Sequence, residues 1–412
     1  MEITHDPIRH LRYLRQSLSQ DNEAIGFFIS AGCPLSVKMP EGMWPLIPDV
    51  ATLSRHINSQ LSTNTKFSLL LDELSKAEKN KENIEDVLSF LRSLLSVSKG
   101  GQVRVLTEED LLGLQHLICA EIVKKLNVEL PDQETPYHYL GNWIKSIDRK
   151  ISIEIFTTNY DILAEQALED LEIPYFDGFV GARRSFFDLR AVEDNLIPTH
   201  WSRLWKIHGS INWYHEVVAK QLKVFRSSEV REKLEVGDVS HLIYPSHLKY
   251  EESRKMPYLA LIDQLTRFIR KKSSFLILCG YSFSDGHIND AIINALKANP
   301  TAMVLGLMYE NFNSPIEDGK ERERYPEAYR LARGQHNLNV WTFDKAIIGT
   351  NIGSWHKGKD ANDADTEILE FIHKQLDDKG TPTGKDIVKL GDFAHFTSFL
   401  KRMIGYRGDK ND

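Results

Sequence analysis

Apolar and polar positions along this chain follow two periods, and the changes between them mark its elements. Near the start, Ile8, Leu11, Leu14 and Leu18 recur at three- and four-residue intervals, which predicts an amphipathic helix. Residues 26–29 (GFFI) form a short apolar strand, and the Pro- and Gly-rich MPEGMWPLIPD that follows reads as a loop, after which Asp49 or Thr52 starts a helix. Between 67 and 149, FSLLLDELSKAEKN, IEDVLSFLRSLLSV, EDLLGLQHLICAEIVKKL and YHYLGNWIKSI all keep the helical spacing. They predict an inserted helical subdomain with KAEKNKEN as a solvated helix end or loop.

The period then changes. Ile151, Ile153 and Ile155 alternate with Ser152 and Glu154, Phe156 extends the run, and Ile162, Leu163, Ala167 and Leu168 return to helical spacing. This predicts a buried or half-buried strand feeding a helix. Residues 174–194 read as a loop-rich crossing, Leu204, Trp205 and Ile207 as a strand, and 216–255 as a polar excursion. A helix over 258–271 leads into SFLILC, continuously apolar like a parallel strand buried on both faces. HINDAIINALKA is a helix capped by Asp285 or Ser284, and AMVLGLMY and NVWTF are further strands. After Gly349 the chain reads as a polar linker, then a helix (EILEFIHKQL), then a final amphipathic helix. That last helix groups Phe393, Phe396, Phe399 and Leu400, which either pack the core or dock a partner.

Strands alternating with helices predict an α/β fold: a doubly wound, mostly parallel sheet with a helical inserted subdomain and a C-terminal helical tail. The expected division is 1–66 and 151–345 for the sheet domain, 67–150 for the insertion and 346–412 for linker and tail. The 412 residues are 42% apolar and 26% charged, as in ordinary soluble proteins. A net charge of −7 argues against broad nucleic-acid or anionic-membrane binding. The N-terminus lacks a signal-peptide core and no apolar run reaches membrane-spanning length, so a cytoplasmic location is expected. Cys33, Cys119 and Cys279 are too few and too scattered for a disulfide framework or a four-cysteine zinc site.

Candidate chemistry collects where apolar strands end. The four ends read Ser30-Ala31-Gly32-Cys33, Thr158-Asn159-Tyr160-Asp161, His208-Gly209-Ser210 and Gly280-Tyr281-Ser282. Ligands of open α/β sheets sit outside the carboxyl ends of the strands, and small residues such as Ala31 and Gly32 let a backbone approach a phosphate. Turn-building and capping account for each corner separately, and His208 alone reads as a structural histidine. Asp285, His287 and Asp290 have the composition of a metal site, but turn and cap duties explain them more simply, and no metal is assigned. The Gly-x-Gly-x-x-Gly fingerprint and the P-loop lysine motif are both absent.

In this order the corners resemble the Gly-Ala-Gly, Gln-Asn-x-Asp, His-Gly and Gly-x-Ser motifs of sirtuin-type NAD-binding domains. The spellings FTTNYD, KIHGS and GYSFSD look most like the sirtuin-like domains of bacterial anti-phage defence proteins, and the GDF-containing tail looks like the stand-alone subunits that partner a HerA-type ATPase. The resemblance covers residues 23–345. It implies a Rossmann-like, sirtuin-type fold and an NAD+ hydrolase that releases nicotinamide and depletes NAD in abortive infection, gated by homo-oligomeric assembly with the ATPase. By the same resemblance Asn159, Asp161 and His208 are catalytic. Ser30, Ala31, Gly32 and Cys33 then lie along the pyrophosphate, Thr158, Tyr160 and Gly209 beside the cofactor, and Gly280, Tyr281 and Ser282 near the adenosine.

Two departures narrow what the resemblance implies. Sirtuin deacylases hold a structural zinc on four cysteines, which this chain cannot supply, so NAD+ as substrate without structural zinc is expected. Ser30 stands where the first glycine of Gly-Ala-Gly would be. A non-catalytic NAD or ADP-ribose sensor, an NAD-dependent protein deacylase, and a cysteine hydrolase using Cys33 and His208 remain the alternatives.

Overall fold

The computed structural model describes residues 3–218, 221–230, 239–243, 257–316, 320–358, 366–376 and 380–405. Its frame is a ten-stranded sheet. In chain order these strands are β1 (Thr4–His5), β2 (Ile25–Ile29), β3 (Glu154–Thr157), β4 (Tyr175–Phe176), β5 (Ser202–Lys206), β6 (Phe275–Cys279), β7 (Met303–Leu307), β8 (Leu338–Trp341), β9 (Lys345–Ile348) and β10 (Asn351–Trp355). Their spatial order is β1-β10-β9-β8-β7-β6-β2-β3-β5-β4. Every pairing is parallel except β8 with β9 and β9 with β10. The mostly parallel α/β frame expected from the alternation of periods is therefore present.

Both faces are covered. On one side Phe27, Ile29 and Ile155 join a core with the first helix, α1 (Pro7–Leu18), and the helices α2 (Val50–Gln60), α3 (Thr65–Lys76), α4 (Ile84–Val97), α5 (Glu108–Leu126) and α6 (Pro136–Lys145). On the other, Phe28, Phe156, Leu276 and Leu278 pack with the segments Tyr258–Ile269 and Gly286–Ala298. Alternate residues of one strand thus feed opposite cores, as the period of two requires. Helix starts follow local chemistry: Asp6, Asp49, Asn64 and Asn83 each accept a backbone N–H in the first turn, and Thr107 with Asp110 forms a reciprocal capping box. No helix among the described residues is long and apolar enough to cross a membrane.

Two open readings are resolved and two expectations corrected. Of the buried and half-buried readings of the strand through Ile155, the buried one holds: Glu154 is buried, and its carboxylate accepts from Trp205 Nε1 at 2.7 Å and pairs with Lys271. The polar excursion after 216 belongs, where it is described, to a second, five-stranded sheet. Its strands run in the order Val239–Ile243, Gly209–Val218, Gln221–Arg226, Ser185–Phe187, Phe179–Val180, with antiparallel pairing. Residues 231–238 and 244–256 of that excursion lie outside the described residues. The linker expected after Gly349 begins instead with β10. A tight turn with positive φ at Gly349 and Thr350 (55° and 74°) folds β10 back on β9, a handedness that suits two-residue hairpins. Finally, EILEFIHKQL is helical only over Thr366–Leu369. Ile372–Leu376 then pairs antiparallel with Pro382–Val388, a strand the spacing did not predict.

The final helix, Phe393–Met403, is capped by Asp392 and returns to the core. Its Phe396 is fully buried with its ring 6.1 Å from that of Phe27 on β2, while Phe393 meets Tyr137 and Phe399 meets Phe371. Of the two readings of this aromatic stripe, core packing is the one observed.

Candidate active site

The four strands whose ends carry the candidate chemistry are neighbours, in the order β6-β2-β3-β5. Their register is level: Cys279 faces Ile29, Ile29 faces Thr157, and Thr157 faces Lys206. At about 4.8 Å per strand, the corners following these residues spread over roughly 14 Å. The chain leaves β2 toward β3 and β5 and later returns to the other side of β2 at β6. This reversal makes the carboxyl end of β2 the switch point where ligands of such sheets bind.

Each corner is built by backbone pairing. Ser30 N–H donates to the Cys279 carbonyl at 3.0 Å and Gly32 N–H to the Gly280 carbonyl at 3.1 Å, tying the first corner to the fourth. Gly32 and Gly280 touch so closely that a Cβ on Gly32 would lie 2.8 Å from the Gly280 Cα, and Gly280 also adopts a φ of +65°. Both positions exclude larger residues. Ser30 and Thr158 share a hydroxyl hydrogen bond at 2.7 Å, and Asn159 Nδ2 reaches the Ser30 carbonyl at 3.4 Å. Ile211 N–H donates to the Tyr160 carbonyl at 2.9 Å, which fixes the third corner against the second.

These corners enclose a cavity of about 180 Å³. Ser30, Ala31, Thr158, Asn159, Tyr160, Asp161, His208, Gly280, Tyr281 and Ser282 line it, as do Ser284 and Asp285. Helices supply the opposite wall: Ile84, Glu85 and Leu88 from α4 and Ile122 and Leu126 from α5, within the expected insertion, and Val50 and Leu53 from α2, which precedes it. The cavity therefore has a polar floor at the strand ends and an apolar wall of helices. Its carboxylates are Glu85, Asp161 and Asp285, and no lysine or arginine lines it among the described residues.

Three of the residues expected beside a cofactor do not line it. Gly32 N–H is spent on the Gly280 carbonyl and Cys33 N–H on the Ser30 carbonyl (2.9 Å), so neither amide is available to a phosphate as expected. The Cys33 thiol is fully buried, donates to the Cys279 carbonyl at 3.3 Å, and is pushed up by burial away from the reactive thiolate. That removes the cysteine-hydrolase alternative. Gly209 takes the chain through a φ of +90° into the second sheet and also lies outside the lining. Among the described residues no group of three His, Cys, Asp or Glu side chains is placed to hold a metal ion.

Asp161 accepts from Leu163 N–H at 3.1 Å, starting the helix α7 (Leu163–Asp170), while its own carbonyl accepts from Lys206. Burial raises the Asp161 carboxyl to about 6 against the opposing pull of Lys206. The His208 ring lies 6.3 Å from that of Tyr160, whose phenol burial holds far above its usual range. Spacing alone gave no sign of Asp285 as a neighbour of His208: its Oδ2 is 3.3 Å from His208 Nε2, and both side chains are 7% exposed. The cap spelling at Asp285 was readable in the sequence, but the long-range contact was not.

Residues 153–332 match the family profile described as a SIR2-like domain. That stretch holds the second, third and fourth corners but not the first. Among solved structures, one concerning the structural basis of sirtuin substrate affinity shares 13% identity, covering 75% of this chain and 89% of its own, with a TM-score of 0.34. A structure of Sir2Tm bound to a propionylated peptide shares 12%, covering 75% and 90%, with a TM-score of 0.35. A Sir2 homologue in complex with ADP-ribose shares 11%, covering 72% and 83%, with a TM-score of 0.33. No curated protein matches the chain.

Proposed function

We propose that this protein is an NAD+ glycohydrolase, cleaving the bond between nicotinamide and ribose to release nicotinamide and ADP-ribose. One observation carries the reading. Asn159, Asp161 and His208 line a single cavity together with two further carboxylates, Glu85 and Asp285, and, among the described residues, no lysine or arginine. Such a lining favours positive charge, and the scissile end of NAD+ is a cationic pyridinium on a ribose that itself becomes oxocarbenium-like.

Because nicotinamide departs as a neutral amine, its departure needs no general acid. The C1′–N bond breaks with its electron pair going to the ring, and water forms the new C1′–O bond, losing a proton. In this reading Asn159 holds the nicotinamide ribose and the water, and Asp161 accepts from the carboxamide. His208 takes the proton, directly or through a ribose hydroxyl, as a neutral imidazole can. Ser30 and Ala31 run along the pyrophosphate, and Gly280, Tyr281 and Ser282 lie toward the adenosine. The biological setting that accompanies this reading is depletion of NAD in anti-phage defence, gated by assembly with a HerA-type ATPase.

Incubation of the purified chain with NAD+, alone and with a candidate ATPase, is expected to yield nicotinamide and ADP-ribose in equal amounts. Asn159→Ala should lower the rate at least about 100-fold with the fold intact by circular dichroism. Binding of NAD+ without nicotinamide release under either condition, or release only when an acyl peptide is added, overturns the reading.

A further inference from the structure

The carboxylate of Asp285 does two things at once. Oδ1 accepts from His287 N–H at 3.1 Å and Ile288 N–H at 3.3 Å, capping the helix Gly286–Ala298. Oδ2 stands 3.3 Å from His208 Nε2. His208 follows β5 and Asp285 follows β6, and two other strands of the sheet, β2 and β3, separate those two. Side chains from non-adjacent strands therefore meet at the cavity they both line. A capping aspartate needs only one oxygen for its helix, and here the second is held against an imidazole where each group is 93% shielded from solvent.

We propose that Asp285 is the positioning residue of His208: it orients the ring and fixes the proton of the neutral imidazole on Nε2. An acceptor-only carboxylate facing Nε2 requires a proton there, which leaves Nδ1 as the basic nitrogen. The assignment deepens the NAD+-cleavage reading and rests on it for its catalytic consequence, but the tautomer itself is a property of the free protein. The two cap hydrogen bonds hold the Asp285 carboxylate against the start of the helix Gly286–Ala298, which limits where Oδ2 can point.

Asp285→Asn separates the two duties. Asparagine caps helices about as well as aspartate, so Oδ1 keeps its two N–H donors, while the oxygen facing His208 becomes an amide donor. Nitrogen-15 NMR of histidine-labelled protein, at a pH where the ring is neutral and with the signal assigned by its loss in His208→Gln, reads the proton's position. The proton is expected on Nε2 in the native chain and on Nδ1 in Asp285→Asn. In nicotinamide release kcat should fall at least about 100-fold, with KM and melting temperature nearly unchanged. The same tautomer in both proteins overturns the proposal whether or not the chain cleaves NAD+. An unchanged kcat in a native chain that does cleave it also overturns the proposal. If the native chain releases no nicotinamide, the functional reading fails, and the shift or constancy of the proton still decides the role of Asp285.

Discussion

Burial pushes the Asp161 carboxyl up to about 6 from 3.8, desolvation outweighing the attraction of Lys206. A carboxyl raised in this way binds its proton more tightly folded than unfolded, so the fold loses stability as pH rises from about 4 to about 6. By neutral pH the loss is on the order of 3 kcal/mol. Asp161→Asn is therefore expected to melt above the native chain at pH 7.5, with the difference vanishing below about pH 4, while nicotinamide release falls. Melting curves across that range check the stability half. That Asn159, Asp161 and His208 come to one cavity was legible because each lies just past the end of an apolar strand. The fate of the Gly32 and Cys33 amides was not, since it depends on how closely the corner after β2 approaches the one after β6.

β5 ends on a lysine with no exposed surface. The Lys206 ammonium donates to the Asp161 carbonyl and to Glu165 Oε1 at 2.7 Å, joining β5 to α7 beneath the cavity. Removing it leaves Glu165, itself 7% exposed, as an uncompensated buried charge. Lys206→Met should cost about 3–5 kcal/mol in urea unfolding, and adding Glu165→Leu should recover most of that. Long elements were readable from periodicity, as α1 and the inserted helices illustrate. Short strands such as Asn351–Trp355 and Ile372–Leu376 were misread because pairing partners, not their own spacing, make them strands.

Across the whole molecule, one core joins distant parts of the sequence. Phe396 packs on Phe27 of β2 beside Trp143 of α6, whose ring is 5.3 Å from Phe27. Phe396→Ala should lower stability by about 3–5 kcal/mol, read as a shifted denaturation midpoint at constant slope. The sheet domain was legible as an architecture because its parallel strands are buried on both faces. The insertion contributes Glu85, Leu88 and Ile122 to the cavity. Helix spacing says which face is apolar and not what lies against it.

The helix that covers Phe27 lies far downstream of β2, with the sheet and the insertion between them. During translation, then, Phe27 on the strand leading into Ser30 lacks this part of its cover until that distant helix has left the ribosome. The packing behind the first corner is thus completed only after every residue that lines the cavity has been made.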